Sequence, residues 1–259
     1  MPETLVSRLR AAGCVFAEDE ARLLEAAAPT PAELDALVAR RVAGWPLEQV
    51  LGRAEFCGLE IAVEPGVFVP RRRSEFLVRR AARAAGAAAR PVVLDLCCGS
   101  GAIGAAVAAA VPGAELHAAD VDPAAVRCAR RNVGPAGGTV HEGDLYAPLP
   151  ARLRGRVDVL VANAPYVPTA EVPLLPAEAR DHEPLTALDG GADGLDVQRR
   201  VIAGAPRWLA PGGLLLVETS RRQEPRTRAA VAAAGLAAST ETCADLAATV
   251  VTGRAGPRR

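Results

Sequence analysis

Residues 92–111 read VVLDLCCGSGAIGAAVAAAV: an apolar run, a glycine-rich turn and an alanine-rich stretch. Val92 to Leu96 combine β-branched residues and leucine, which predicts a strand buried on both faces, as in a parallel sheet. Gly99-Ser100-Gly101 form a tight turn, and Ala102 to Val111 predict a helix. Glycines at a strand-to-helix turn let a ligand approach the backbone, and the helix start presents free N–H groups. This suits either a nucleotide phosphate or the carboxylate of an amino-acid-like ligand. The turn lacks the GxGxxG dinucleotide fingerprint, and a chain without any lysine has no Walker loop.

Working outward, the strand–helix alternation continues. The pattern predicts a strand at Glu115 to Ala119, a helix at Pro123 to Asn132, a short strand near Val140 and a strand at Val157 to Ala162. A long connection leads to a helix at Val197 to Leu209, a Pro211-Gly212-Gly213 turn, a strand at Leu214 to Glu218 and a helix at Glu224 to Ala234. Ala237 to Val251 is left with one or two strands. Repeated βα units imply a mainly parallel, doubly wound α/β sheet with right-handed crossovers. Asp120 ends the second strand, where an ionised acceptor suits a ribose diol, while Asp122 reads as a helix cap. Asp144 ends the third strand at the same sheet edge, so by analogy it lies near an adenine, with Leu145 in apolar contact. Taken alone, Asp144 is a loop acid. A glycine-rich turn plus Asp120, without basic residues near the turn to hold phosphates, favours S-adenosylmethionine over a dinucleotide.

The strand at 157–162 opens the second chemistry-bearing stretch, VDVLVANAPYVP at 157–168. Asn163 falls at the C-terminal edge, where open α/β sheets place their ligands. Asn163, Ala164, Pro165 and Tyr166 put an amide, a free carbonyl, a rigid ring and an aromatic face in succession, a compact holder for a planar nitrogen-bearing group. The alternative is an ordinary strand exit, for which Asn and Pro are common.

Toward the N-terminus, Thr4 to Ala12, Ala17 to Ala28 and Pro31 to Val42 show helical spacing, with Thr30 as cap of the third helix. The division expected is a helical domain at 1–52, a hairpin linker at 53–75 and an α/β domain at 76–259. The hairpin strands are Glu55 to Cys57 and Glu60 to Val63, followed by a Pro65-Gly66 turn. Arg71, Arg72 and Arg73 read as a solvated turn, and Ser74 as the cap of a helix through about Ala85.

Composition narrows the classes. The 259 residues carry thirty basic side chains, all arginine, and thirty acidic ones. A formal net charge of zero gives no global field toward a nucleic acid or a membrane. Cys14, Cys57, Cys97, Cys98, Cys128 and Cys243 show no paired zinc spacing, so reduced, mostly buried thiols and no metal site are expected. No leader-like start and no bilayer-length apolar run appear, which points to a cytoplasmic protein.

Several separated motifs, in order, carry a resemblance: LEQVLGRAEFCG at 47–58, Pro70-Arg71-x-x-Ser74-Glu75, DLCCGSGAIG at 95–104 and AADVDP at 118–123. NAPY at 163–166, HEPLTALDGGADGLD at 182–196 and LAPGGLLLVE at 209–218 continue it. The chain resembles the HemK-type protein-(glutamine-N5) methyltransferases, which methylate the Gly-Gly-Gln loop of peptide-chain release factors. The resemblance implies a class I S-adenosylmethionine-dependent methyltransferase domain with a Rossmann-like sheet. It also implies a preceding helical substrate-recognition domain, a linking hairpin and a release factor as partner. It assigns the Asp95 turn, Cys97, Cys98, Gly99, Ser100 and Gly101 to the methionine part of the cofactor, Asp120 to its ribose, and Asn163 to Tyr166 to the substrate glutamine. Asn163 thereby adjoins the cofactor as well. His117, His141 and His182 are not needed as catalysts, and His182 reads as a structural hydrogen-bonding residue. Three motifs depart from the family pattern. Ala164 replaces the first proline of Asn-Pro-Pro-Tyr, Cys97 a glycine, and Glu218-Thr219-Ser220 a Glu-Ile-Gly. The departures leave open another protein, a small molecule or an exocyclic base amine as acceptor, the last opposed by zero net charge and few aromatics.

Overall fold

A computed structural model describes residues 4–257. The first four helices are α1 (Leu5–Ala11), α2 (Ala17–Ala27), α3 (Pro31–Val42) and α4 (Leu47–Leu51). The Thr4 and Thr30 hydroxyl oxygens accept the Ser7 and Glu33 N–H groups and cap α1 and α3. Leu9, Ala17, Leu24, Val38 and Val50 close a small core of their own among these helices. Gly52, at φ 75°, ends α4 in the left-handed conformation and turns the chain into a hairpin of β1 (Arg53–Phe56) and β2 (Leu59–Ala62). Cys57 and Gly58 join these strands, both at positive φ, as a two-residue hairpin turn requires.

A 3-10 turn at Arg72–Ser74 runs straight into α5 (Glu75–Ala85). Ser74 is itself in a right-handed helical conformation and makes no capping hydrogen bond, so the expected cap does not form. A cap needs an extended backbone to aim its oxygen at the following N–H groups.

The sheet comprises β3 (Val92–Leu96), β4 (Glu115–Asp120), β5 (Thr139–Glu142), β6 (Val157–Ala162), β7 (Leu209–Thr219), β8 (Ala237–Cys243) and β9 (Ala248–Arg254). Their order is β5-β4-β3-β6-β7-β9-β8. The first five are parallel, and β9 and β8 add an antiparallel hairpin at one edge. Helices α6 (Ala102–Ala110), α7 (Pro123–Val133), α10 (Asp196–Gly204) and α11 (Glu224–Ala233) connect the strands. Two further short helices, α8 (Ala177–His182) and α9 (Leu185–Leu188), lie in the connection after β6. Alternate strand residues serve opposite faces. Val93, Val159, Val161 and Leu216 pack with α5 and α6, whereas Leu94, Leu160, Leu215 and Val217 pack with α10 and α11.

Pro211-Gly212-Gly213 do not precede the seventh strand but form a bulge within it. Val157 pairs with Leu209 and Val159 with Leu214, so the extra residues loop out of register. A Cβ at residue 213 would lie 2.7 Å from the Val157 carbonyl oxygen, so glycine is needed for the close approach.

From β3 the chain winds outward to β4 and β5, then returns to β6 on the other side of β3. The C-terminal ends of β3 and β6 therefore flank the topological switch point, the usual ligand crevice of such sheets. Leu96 is in register with Ala162, so Cys97 and Asn163 leave the sheet side by side.

Candidate active site

The turn after β3 is built by the left-handed residues Cys97, Gly99 and Gly101. The Cys98 N–H donates to the Ala119 carbonyl at 3.1 Å. Asp120 holds the turn from below, with Oδ2 accepting the Gly99 N–H at 2.8 Å and Oδ1 accepting the Asp122 N–H at 2.9 Å. Burial pushes the Asp120 carboxyl up and the backbone N–H groups oppose that shift. Asp122 caps α7 by accepting the Ala124 N–H at 2.7 Å. The Cys97 and Cys98 thiols are pushed up by burial and by neighbouring carboxylates, so both stay protonated.

Two residues assigned to the cofactor stand behind this wall. Asp95 is fully buried outside the cleft lining, its Oδ2 accepting the Gly104 N–H at 2.8 Å. It braces the first turn of α6. Gly101 is also outside the lining, and a Cβ there would lie 2.8 Å from Val133 Cγ2. Its glycine is required for contact between α6 and α7.

The remaining assigned residues meet around a cleft of about 640 Å³. Cys97, Cys98, Gly99, Ser100, Asp120, Asp144 and Leu145 line it together with Asn163, Ala164, Pro165 and Tyr166. Asp144 is paired with Arg200 at the rim, Nη2 to Oδ2 2.5 Å. Asn163 Nδ2 donates to Ser74 Oγ at 3.3 Å, which assigns the amide orientation and leaves Oδ1 free of protein partners among the described residues. The Tyr166 carbonyl accepts the Gln223 Nε2–H at 2.8 Å, tying the loop to the start of α11. Burial, with the Glu218 carboxylate adding to it, pushes the Tyr166 phenol up to about 12. The ring therefore acts as a neutral surface. The His182 ring packs tilted against Trp45, centroids 4.6 Å apart, and its carbonyl accepts from Gln49, so both its ring and its backbone hold the helical segment.

The arginine run is solvated only in part: Arg72 and Arg73 are exposed, but Arg71 and Arg73 each face a buried carboxylate. Arg71 Nη2 donates to both oxygens of buried Glu183 at 2.7 Å, and Arg73 Nε lies 3.4 Å from Oε1 of buried Glu218. Arg71, Arg73 and Ser74 all line the cleft. The physical reason is that two carboxylates, delivered by distant segments, neutralise the guanidinium groups beside the ligand space. Glu183 and Glu218 both fall in motifs quoted above, yet nothing local in the sequence pairs them with Arg71 and Arg73.

The donor set fits S-adenosylmethionine. An acceptor carboxylate on β4, the apolar side chains of Ala119, Val121 and Leu145, and the open N-terminus of α6 surround one continuous space. The arginines of the lining, Arg71, Arg73 and Arg200, are each paired with a carboxylate, Glu183, Glu218 and Asp144. The switch-point cleft, with a strand-ending carboxylate and an antiparallel β8–β9 edge, defines a class I S-adenosylmethionine-dependent methyltransferase. Comparisons agree. The Methyltransferase small domain family matches residues 58–175. Among solved structures, the T. thermophilus 16S rRNA N2 G1207 methyltransferase superposes with TM-score 0.56 at 21% identity, over 78% of this chain and 49% of that one. A methyltransferase from Pyrococcus furiosus also gives TM-score 0.56, at 17% identity over 84% and 97% of the two chains. These two likenesses concern the fold. In sequence, the chain is 45% identical to the release factor glutamine methyltransferase of Geobacter sulfurreducens, over 73% of this chain and 66% of the relative. It is 37% identical to that of Bradyrhizobium diazoefficiens, over 94% and 89%. The chain belongs to the release factor glutamine methyltransferase family.

Proposed function

We propose that the protein transfers a methyl group from S-adenosylmethionine to the side-chain amide nitrogen of the glutamine in the Gly-Gly-Gln loop of a peptide-chain release factor, in the cytoplasm. The observation that carries this reading is the Asn163 amide, held through Nδ2 by Ser74 beside the glycine turn of the cofactor wall. When bound, the cofactor supplies a methyl on a positively charged sulfur, already a good electrophile. An amide nitrogen is a poor nucleophile because its lone pair is delocalised, so the work left to this chain is orientation. Asn163 Oδ1 and the Ala164 carbonyl would accept the two N–H groups of the glutamine amide. These acceptors strengthen their hold as positive charge develops on nitrogen, which favours the transition state over the ground state. Pro165 stiffens the loop, and the Tyr166 ring, with the Arg73 guanidinium 5.7 Å from its centroid, would cover the flat amide. No base is needed before transfer, because the methylated nitrogen is acidic and loses its proton afterwards.

On this reading residues 1–52 recognise the acceptor, 53–75 link the two parts, and 76–259 carry the chemistry. Methyl transfer from labelled cofactor should go to purified release factor, and not to its Gln-to-Ala loop variant, tRNA, rRNA or DNA. Label on nucleic acid would overturn the assignment. Asn163→Ala should lower kcat by roughly 10²–10³-fold, the usual loss for one preorganised polar contact. Cofactor affinity, read by calorimetry, should stay nearly unchanged. Loss of cofactor binding with the fold intact would mean that Asn163 serves the cofactor instead.

A further inference from the structure

Glu218 is the last residue but one of β7, next to the acceptor loop, yet it is not part of the cleft lining. It is 1% exposed, and neither carboxylate oxygen has a hydrogen-bond partner among the described residues. A buried carboxylate is not retained without function or compensation, since burial strongly disfavours its charge. Three groups face it. Arg73 Nε lies 3.4 Å from Oε1, Tyr166 feels its charge, and the Ser74 hydroxyl opposes the upward push that burial gives its carboxyl. The sheet explains the grouping. Ala162 is in register with Val217, so Asn163, just past the end of β6, lies beside Glu218, which is still within β7. Ser74, 2% exposed at the start of α5, reaches Asn163 at 3.3 Å.

Hydrogen counting gives the arrangement a consequence. The Ser74 hydroxyl has one hydrogen and two lone pairs. That hydrogen meets no acceptor among the described residues, and the buried Glu218 oxygens meet no donor; given to Glu218, it leaves only lone pairs for Asn163, and the Asn163 amide then presents its N–H to Ser74. Its oxygen is then turned to the cleft. Without the carboxylate, the hydroxyl is free to donate to Asn163 Oδ1. The amide then flips and points its own N–H groups at the acceptor nitrogen, which needs acceptors and not donors.

We propose that Glu218 is a positioning residue that, through the Ser74 hydroxyl, fixes the Asn163 amide with its oxygen toward the acceptor nitrogen. The inference rests on the reading of Asn163 as the group that holds the acceptor amide. The test is a set of variants of the full chain, assayed with release factor and S-adenosylmethionine: Ser74→Ala, Ser74→Thr, Glu218→Leu and Asn163→Ala, singly and combined.

Ser74→Ala and Glu218→Leu should each lower kcat by roughly tenfold, about the value of one orienting hydrogen bond. Cofactor affinity should stay within about twofold of the parent, since neither side chain is placed on the cofactor. Ser74→Thr, which keeps the hydroxyl, should restore most of the rate. In an Asn163→Ala background, Ser74→Ala and Glu218→Leu should have almost no further effect, because their action passes through the missing amide. Additive losses in that background, or failure of the threonine to rescue, would overturn the proposal while leaving the role of Asn163 standing. A silent Asn163→Ala would instead remove the underlying reading. Should Glu218→Leu fail to fold, Ser74→Ala deletes a single oxygen from a packed site and decides the question through the same double-variant comparison.

Discussion

Ala164 is where the loop departs from its family, and its surroundings say what the departure does. It is 1% exposed, and its N–H donates to no group among the described residues. A proline there removes no hydrogen bond and holds Asn163 in the extended conformation. Ala164→Pro should therefore keep or modestly raise activity on release factor and add about 0.4–1 kcal/mol of stability by restricting the unfolded chain. A tenfold loss of kcat would mean that the loop is shaped for a different acceptor. Asp95 gives a second residue-scale prediction. Burial pushes its carboxyl from the usual range up to about 7. Between the unfolded and folded values the folded state binds a proton that the unfolded chain has released, so this group's contribution to stability falls as pH rises through that window. Asp95→Asn keeps an oxygen for the Gly104 N–H but does not titrate. Relative to the parent, its urea midpoint should improve as pH rises from about 4 to about 7, the interval spanned by that shift. A pH-independent difference between the two proteins would refute the assignment. At this scale, what was legible in the sequence was what rests on neighbours in the chain, such as the caps Thr30 and Asp122 and the strand-ending Asp120. Ser74 was not, because its partner Asn163 is 89 residues away, nor was Arg71, whose partner Glu183 is 112 away. Read locally, those residues are a helix cap and a solvated turn.

Elements were legible where a turn signal met an apolar run. The strand, glycine turn and helix from β3 to α6 follow the sequence closely, and Gly101 shows why the turn tolerates so little. At φ 77°, a Cβ would meet Val133 and Ala129 of α7 at 2.8 and 3.1 Å. Gly101→Ala should cost about 2–3 kcal/mol, from left-handed strain and overpacking together. Chemical denaturation measures it, and cofactor affinity should weaken as the α6–α7 contact opens. A variant as stable as the parent would show that the two helices have room to separate. The segment between β6 and α10 was not legible. Its turns and helices are four to six residues long and begin after Pro168, Pro176 and Pro184, so none spans enough chain to display a period. The β7 bulge was hidden for another reason. Pro-Gly-Gly is a turn signature in isolation, and only the pairing with Val157 and Val159 makes it part of a strand.

Across the whole molecule, the helical segment and the α/β part share a boundary that forms one wall of the cleft. Arg41, 7% exposed, holds Glu20 through Nε at 2.6 Å and Nη2 at 3.2 Å. Its Nη1 also reaches Glu178, on α8, at 2.6 Å. Gln49 donates to the Val67 and His182 carbonyls, and Trp45 packs on the His182 ring. The helices are thus fastened to the connection that follows the acceptor loop, and Pro46 and Glu178 both line the cleft. Two substitutions separate folding from docking. Arg41→Ala leaves Glu20 buried without its partner and should lower stability by about 3–5 kcal/mol. Glu178→Gln removes only a half-exposed partner and should change stability by less than about 1 kcal/mol. If the helical segment presents the release factor to the cleft, Glu178→Gln should still raise the KM for release factor while leaving cofactor affinity as it was. Limited proteolysis between residues 43 and 52 should quicken in both variants, more in Arg41→Ala. An unchanged KM together with quicker cleavage would mean that the fastening serves stability alone and that acceptor recognition lies on the α/β part.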